Sequence, residues 1–383
     1  MRREFAIIDT TLREGEQTPG VLFSLDEKRR IVDGLVRVGV GEVELGISSS
    51  FHPCVGPLIA HCRNNHTHLK LSLWSRCKKE DIAVAAELRP DLLSLSIPVS
   101  DLHLQKRLGK DRAWALATLR SAMHFARDKG MTLSIGFEDA SRSDQRFLME
   151  MAQVAEQLGA VRIRLADTVG IASPGQMARL VADLDKGLTT SQLAVHTHND
   201  FGMATANAVA ALEAGARYVD TVVLGLGERT GCARLEEIVA YLNLVKGDTR
   251  LQTGQLKPLA RYVAKITGRP IEGNRPIVGE DIFTCETGLH LQGLRNDPQT
   301  YEPFAPEQVG AERKLLLGPK CGRRAIIAHL AGLDHALVKN LPENAVQTVR
   351  DAATQLRRPL SDLEVRRLLA FPKIRVPHSE QMK

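Results

Sequence analysis

Two short stretches of the chain carry the residue types that metal-assisted carbonyl chemistry requires. Asp9-Thr-Thr-Leu-Arg-Glu-Gly-Glu-Gln17 follows an apolar run at residues 5–8, and His196-Thr-His198-Asn-Asp200 follows another at 192–195. Each therefore sits where a buried strand runs out into a loop. Side chains two apart on a strand point to the same face, so His196 and His198 present two imidazoles side by side. A carboxylate arriving from another strand end, such as Glu14, completes a two-histidine, one-carboxylate set with positions left open for a substrate. A surface His-x-His beside an N-cap acid is spelled the same way without a metal, and the three-residue motif alone does not separate the two. The position of both stretches at strand ends favours the metal.

The elements that must hold these residues follow from hydrophobic patterning. Apolar runs recur at residues 5–8, 42–45, 69–74, 92–97, 131–135, 161–165, 193–195 and 218–224, which makes eight. Helical patterns lie between them. One starts at Ser24 with Glu27 three residues on, places Ile31, Val32, Leu35 and Val36 on one face and closes at Gly39. Another opens at Ser173-Pro174-Gly-Gln176, an N-cap followed by proline at the first helical position. A third spans residues 203–213 and stops at Gly215. Eight strands alternating with helices over residues 1–250 predict an α/β (β/α)8 barrel as the catalytic domain, its site at the C-terminal strand ends. A doubly wound open sheet would alternate too, but no G-x-G-x-x-G follows the first strand. After residue 250 the alternation fails. Helices are expected at residues 256–266 and in two or three stretches after Arg324, separated by a Gly/Pro-rich segment at 268–306. Residues 251–383 read as a smaller, mainly helical accessory region.

Composition narrows the function classes. Of 383 residues, 43% are hydrophobic and 25% charged, which is enough apolar material for a large core. No segment approaches the roughly 20 apolar residues of a membrane span, and no apolar signal core opens the chain, so a soluble cytoplasmic protein is expected. The cysteines at 54, 62, 77, 232, 285 and 321 lack C-x-x-C spacing and suit reduced thiols. The net charge of +6 comes from basic residues spread through helices, and aromatics are only 4%, so no nucleic-acid platform is expected. The excess suits anionic small molecules.

The two stretches above, continued by Phe201-Gly-Met-Ala-Thr-Ala-Asn207 and joined by Gly225-Leu-Gly-Glu-Arg-Thr-Gly231, resemble the 2-isopropylmalate and homocitrate synthases. These belong to a metal-dependent barrel superfamily that also holds hydroxymethylglutaryl-CoA lyase. Ser96-Ile-Pro-Val-Ser-Asp101, Gly136-Phe-Glu-Asp-Ala-Ser-Arg142, Ala166-Asp-Thr-Val-Gly170 and Val278-Gly-Glu-Asp-Ile-Phe283 resemble the nitrogen-fixation homocitrate synthases in particular. The chain is expected to lack the C-terminal feedback domain of long isopropylmalate synthases.

The resemblance implies a Claisen condensation of acetyl-CoA, as co-substrate, with a 2-oxo acid. A divalent ion, Mg2+, Mn2+ or Zn2+, held by Glu14, His196 and His198 would polarise the keto group. Arg13, beside the ligand, can donate to the carbonyl oxygen as it becomes an alkoxide; its bland alternative is a partner to a carboxylate at the barrel mouth. Gln17 and Thr168 are implied on the substrate, although Thr168 could equally cap a helix. Glu138, His290 and Tyr301 are implied in proton handling. The last two reach the neighbouring subunit's barrel in the family, so a homodimer is implied, with 251–383 serving as linker, lid and dimerisation region.

Several departures bear on the acceptor. Family members usually have Asn where this chain has Cys232, and a thiol cannot reproduce the amide's hydrogen bonds or hard-oxygen contact. Phe283-Thr-Cys285-Glu stands for Phe-Thr-His-Glu, and Leu317-Gly-Pro-Lys-Cys-Gly322 for Leu-Gly-Lys-His-Ser-Gly. Ser134, Gly136 and Lys78 stand where fungal-type homocitrate synthases carry Arg, Ser and His around the distal carboxylate. Lys78 offers a point charge to a second acidic group, or it is a solvated lysine opening a helix. The leading expectation is 2-oxoglutarate condensed to homocitrate. Phosphonopyruvate and 3-methyl-2-oxobutanoate are alternative acceptors, a lyase is disfavoured by the Gly-rich segment, and a non-catalytic relative is the remaining reading.

Overall fold

The computed structural model describes residues 5–49, 54–286, 290, 293–294, 296–331, 333 and 335–370. The chain divides into two compact units, Met1–Ile271 and Glu272–Lys383. In the first, eight parallel strands close into a barrel in sequence order. They are β1 (Ala6–Asp9), β2 (Glu42–Ile47), β3 (Lys70–Arg76), β4 (Leu92–Pro98), β5 (Leu133–Glu138), β6 (Arg162–Asp167), β7 (Gln192–Thr197) and β8 (Tyr218–Thr221). Because β1 pairs with both β2 and β8, the sheet has no free edge, and the open-sheet alternative is ruled out.

Local sequence explains the helices around it. In α1 (Leu25–Val38), Ser24 and Glu27 form a reciprocal capping box, and Gly39 ends the helix in the left-handed region at φ 95°. Ser173 and Gln176 do the same for α6 (Pro174–Asp185). The outer ring is completed by α2 (Val55–Asn65), α3 (Lys79–Leu88), α4 (Arg112–Asp128), α5 (Gln145–Gln157), α7 (Ala204–Ala214), α8 (Leu235–Ala240) and α9 (Leu256–Thr267). The apolar run at 218–224 is not all strand. β8 stops at Thr221, and Leu224, at φ 59°, turns the chain back so that Val222 donates to the carbonyl of Ala233.

The barrel interior is charged where many such barrels are aliphatic. Arg162 on β6 makes two hydrogen bonds to Glu42 on β2, at 2.9 and 2.7 Å, and lies over the Tyr218 ring at 3.8 Å. One level higher, Arg164 donates to Glu44 at 2.9 Å. Strands β2 and β6 are not neighbours in the sheet, so both bridges cross the lumen. Each Arg and Glu keeps a partner, which is the condition for holding such charges out of water.

At the tip of β1, Asp9 is fully buried. Its Oδ1 accepts from the Thr11 amide at 2.9 Å, but Oδ2 has no partner. Burial pushes this carboxyl up to about 7, and the same effect takes Glu236 to about 7. A carboxyl raised above its unfolded value of about 3.9 binds its proton more tightly in the native state. Its contribution is therefore present below that value and lost as pH rises through about 7. Asp9→Asn keeps the Thr11 contact and removes this loss. Urea unfolding between about pH 4.5 and 7 should then fall less steeply than in the parent, by up to about 1.4 kcal/mol per pH unit. An unchanged slope would show that Asp9 is ionised in the folded chain.

The second unit pairs the short strands Thr284–Cys285 and Lys314–Leu315 in parallel and, among the described residues, carries four helices after residue 322. These are Arg323–Ala331, His335–Lys339, Ala345–Leu356 and Asp362–Ala370. The expectation was two or three; His335–Lys339 is too short to show a helical period in sequence. Ile326, Leu330, Val349, Val365 and Leu369 form its core. No helix among the described residues is long and apolar enough to cross a membrane.

Candidate active site

Four donor groups meet at the C-terminal mouth of the barrel. Glu14 comes from the turn after β1, where its amide donates to the Thr10 carbonyl at 2.7 Å. Its carboxylate lies 3.6 Å from His196 Nε2 and 3.5 Å from His198 Nε2. Cys232 Sγ lies 3.9 Å from His196 Nε2. All four residues are buried, and one ligand atom from each falls within 4.8 Å of the others.

Hydrogen bonding fixes both imidazoles. His196 Nδ1 faces the Asp220 carboxylate at 2.9 Å, and His198 Nδ1 faces the Asp167 carbonyl at 3.3 Å. Both partners can only accept, so both Nδ1 atoms carry the proton and both Nε2 lone pairs point at Glu14 and Cys232. His198 Nε2 is buried with no hydrogen-bond partner. Ligands about 2.0–2.2 Å from an ion lie roughly 3.3–3.6 Å apart in a tetrahedron, close to the spacings found here. The set fits a divalent metal.

Around it the charges alternate in a closed ring. Arg13 donates from Nη1 to Glu14 and from Nε to Glu44 at 2.6 Å. Glu44 also accepts from Arg164, which lies 3.3 Å from Asp220, the partner of His196. Burial alone would raise the Glu14 carboxyl, but Arg13 and the two histidines hold it well below the usual range. Burial likewise opposes ionisation of Glu44, and Arg13 and Arg164 overcome it. Both carboxylates are thus charged and ready. Arg13 is 8% exposed, packs 5.9 Å from the Trp74 ring centroid and has no partner on Nη2 among the described residues. It pairs with mouth carboxylates and still has a donor to spare.

The Gly-rich segment after β8 is what delivers Cys232. A Cβ on Gly231, at φ 83°, would sit 1.7 Å from the Gly225 carbonyl, and one on Gly227 would meet Cys232 Sγ at 3.1 Å. Gly231 accepts from the Asn199 amide, and Cys232 bridges to His198. Where an amide would offer a hard oxygen, this chain places the Cys232 sulfur beside the two imidazoles and Glu14. Arg229 of the same segment holds Asp200 at 2.8 and 2.9 Å and reaches the Thr168 carbonyl at 2.7 Å. Asn199 caps α7 through Ala204.

The other expected residues fall in different places. Gln17 is exposed; with its amide nitrogen turned to Glu14 it lies 2.9 and 3.1 Å from the two carboxylate oxygens. Thr168 caps no helix, since Ser173 takes that position for α6. Its hydroxyl accepts from the Asp139 amide at 2.8 Å, leaving its own proton for another acceptor. Glu138 sits at the end of β5 with both oxygens engaged, by Ser96 at 2.9 Å and Arg107 at 2.6 Å. Lys78 is exposed at the N-cap of α3. His290 and Tyr301 belong to the second unit, where their rings stack at 4.3 Å. Asp220, Glu44 and Arg164 escaped sequence reading. Their signal was there: charges at alternate positions inside buried strands, as in Glu42-Val-Glu-Leu45 and Arg162-Ile-Arg-Leu165.

The HMGL-like family matches residues 4–263, and the homocitrate synthase post-HMGL domain-like family matches 277–357. The 2-isopropylmalate synthase 2 of Caldanaerobacter subterraneus subsp. tengcongensis is 39% identical over 364 residues, 94% of this chain and 93% of that protein. The homocitrate synthase of Frankia alni is 41% identical over 83% of this chain and 90% of its own length. The 2-phosphonomethylmalate synthase of Streptomyces rubellomurinus is 38% identical over 85% and 87%. Among solved structures, hydroxymethylglutaryl-CoA lyase from Pseudomonas aeruginosa superposes with a TM-score of 0.63 over 70% of this chain and 94% of that one, at 21% identity. The chain belongs to the HMGL-like barrel enzymes, in the homocitrate synthase and 2-isopropylmalate synthase family. It is an enzyme of the acyltransferase type that this family comprises.

Proposed function

We propose that the chain condenses acetyl-CoA with an acidic 2-oxo acid, 2-oxoglutarate to homocitrate by family weight, and hydrolyses the resulting thioester to release CoA. The observation that carries this reading is Arg13, held by Glu14 and Glu44 beside the donor set with Nη2 still free. Glu14, His196 and His198 would hold a divalent ion, which would supply Lewis-acid polarisation of the keto group. Arg13 Nη2 donates to the oxygen that gains charge as the new carbon–carbon bond forms. The Thr168 hydroxyl, its oxygen occupied by Asp139, donates to the substrate carboxylate. A proton must leave the acetyl methyl group. Glu138, with one hydrogen bond on each oxygen from Ser96 and Arg107 and a lone pair left on each, and the His290 and Tyr301 pair of a neighbouring subunit are the groups that take it.

Two further features support the reading. Leu22, Leu102, Ile171 and Phe201 are exposed on the loops after β1, β4, β6 and β7, an apolar rim of the kind a lid and homodimer partner would bury. Inside the barrel, β4 and β5 contribute Ser94, Ser96, Ser134 and Gly136, and the buried hydroxyls of Ser94 and Ser134 have no partner. Such a wall suits a polar acceptor tail better than the isopropyl group of 3-methyl-2-oxobutanoate. The names of the relatives keep phosphonopyruvate as the alternative. Free-thiol release with acetyl-CoA and a series of 2-oxo acids tests this. An acidic acceptor should turn over fastest. Preference for 3-methyl-2-oxobutanoate would replace the acceptor, and no release with any of them would remove the condensation.

A further inference from the structure

We propose that Cys232 ligates the metal through its sulfur and so sets which ion this chain takes: a borderline-soft divalent ion, zinc by ligand chemistry, over magnesium. The proposal rests on the reading that Glu14, His196 and His198 hold a divalent ion. Its geometry is independent of that chemistry. Cys232 Sγ lies 3.9 Å from His196 Nε2 and belongs to the one buried group of four donors whose ligand atoms fall within 4.8 Å of each other among the described residues. The residue is 3% exposed, so the sulfur is shut in with the other donors. His198 Nε2, also buried, has no hydrogen-bond partner, an orphaned lone pair beside the thiol.

The backbone holds the sulfur there. Residue 232 bridges to His198 in antiparallel fashion, its amide donates to Gly225 at 3.2 Å, and Gly227 leaves no room for a side chain that would displace it. An amide at this point would offer a hard oxygen, which magnesium and manganese accept. A thiolate binds zinc at about 2.3 Å and selects against magnesium. As the sulfur–metal bond forms from the sulfur lone pair, the S–H bond breaks and its proton passes to solvent. With Glu14 and the thiolate both negative, the loaded site is neutral overall, and Arg13 then becomes the main fixed positive charge facing an anionic acceptor.

Cobalt(II) loading tests this, because a cobalt–thiolate bond gives a near-ultraviolet charge-transfer band that imidazole and carboxylate do not. Asp33 on α1, His61 on α2 and His66 just after it also offer three ligand atoms within 4.8 Å, so titrations are run in a His66→Ala background. The expected result is the band in otherwise wild-type protein and its loss in Cys232→Ser with cobalt still bound. Cys232→Asn should lower the ratio of zinc to magnesium affinity by on the order of tenfold to a hundredfold. Cobalt bound at His196 without the band, in protein whose circular dichroism is native, overturns the role of Cys232 and leaves the three-ligand reading standing. Failure to hold cobalt at all removes both.

Discussion

Replacing His196 with alanine should abolish turnover and lower metal affinity by more than about a hundredfold, while the barrel stays folded. The reason lies on both sides of the ring. Nε2 is one of the candidate donors, and Nδ1 makes the only side-chain hydrogen bond to Asp220 among the described residues. Removing the ring leaves Asp220 with Arg164 at 3.3 Å, which still balances its charge, so collapse of the fold is not expected. Metal content by elemental analysis, thiol release and circular dichroism measured together separate these effects. Stoichiometric metal with full activity in this variant would falsify the assignment of Glu14, His196 and His198.

The second large effect is expected at Arg13. Lysine keeps the charge but loses the planar fork that spans Glu14 and Glu44 while leaving Nη2 free. One ammonium cannot hold both carboxylates and also reach a developing oxyanion. The kcat should fall on the order of a hundredfold, ~3 kcal/mol of lost stabilisation, with metal content unchanged and KM changed far less. A near-parental kcat would make Arg13 a purely structural partner of Glu44. Loss of metal together with activity would mean instead that its task is to position Glu14.

Much of this architecture is legible from local sequence because its signals are local. Capping boxes at Ser24 and Ser173, the terminator at Gly39 and eight apolar runs need only short-range physics: unsatisfied amides at a helix start, a left-handed residue at its end, and strands buried on both faces. The donors Glu14, His196 and His198 are legible for the same reason, since each sits next to the strand end that aims it. Residues whose meaning depends on the opposite wall of the barrel are not. Glu44 and Arg164 lie 120 positions apart and meet only because β2 and β6 face one another across the lumen. Asp220 looks like one acid in an apolar run until the closed sheet brings it to His196 Nδ1. Cys232 reads as a lost amide in sequence, and comes beside the two imidazoles only when the turn at Leu224 and the close approach of Gly231 to Gly225 fold the segment back over the mouth. Sequence by itself determined the elements and the chemistry at their tips, because propensity, caps and period-two burial act within a few residues. Tertiary structure decided the charge ring, the two imidazole tautomers and the place of the Cys232 sulfur, because each depends on a partner supplied by another part of the barrel.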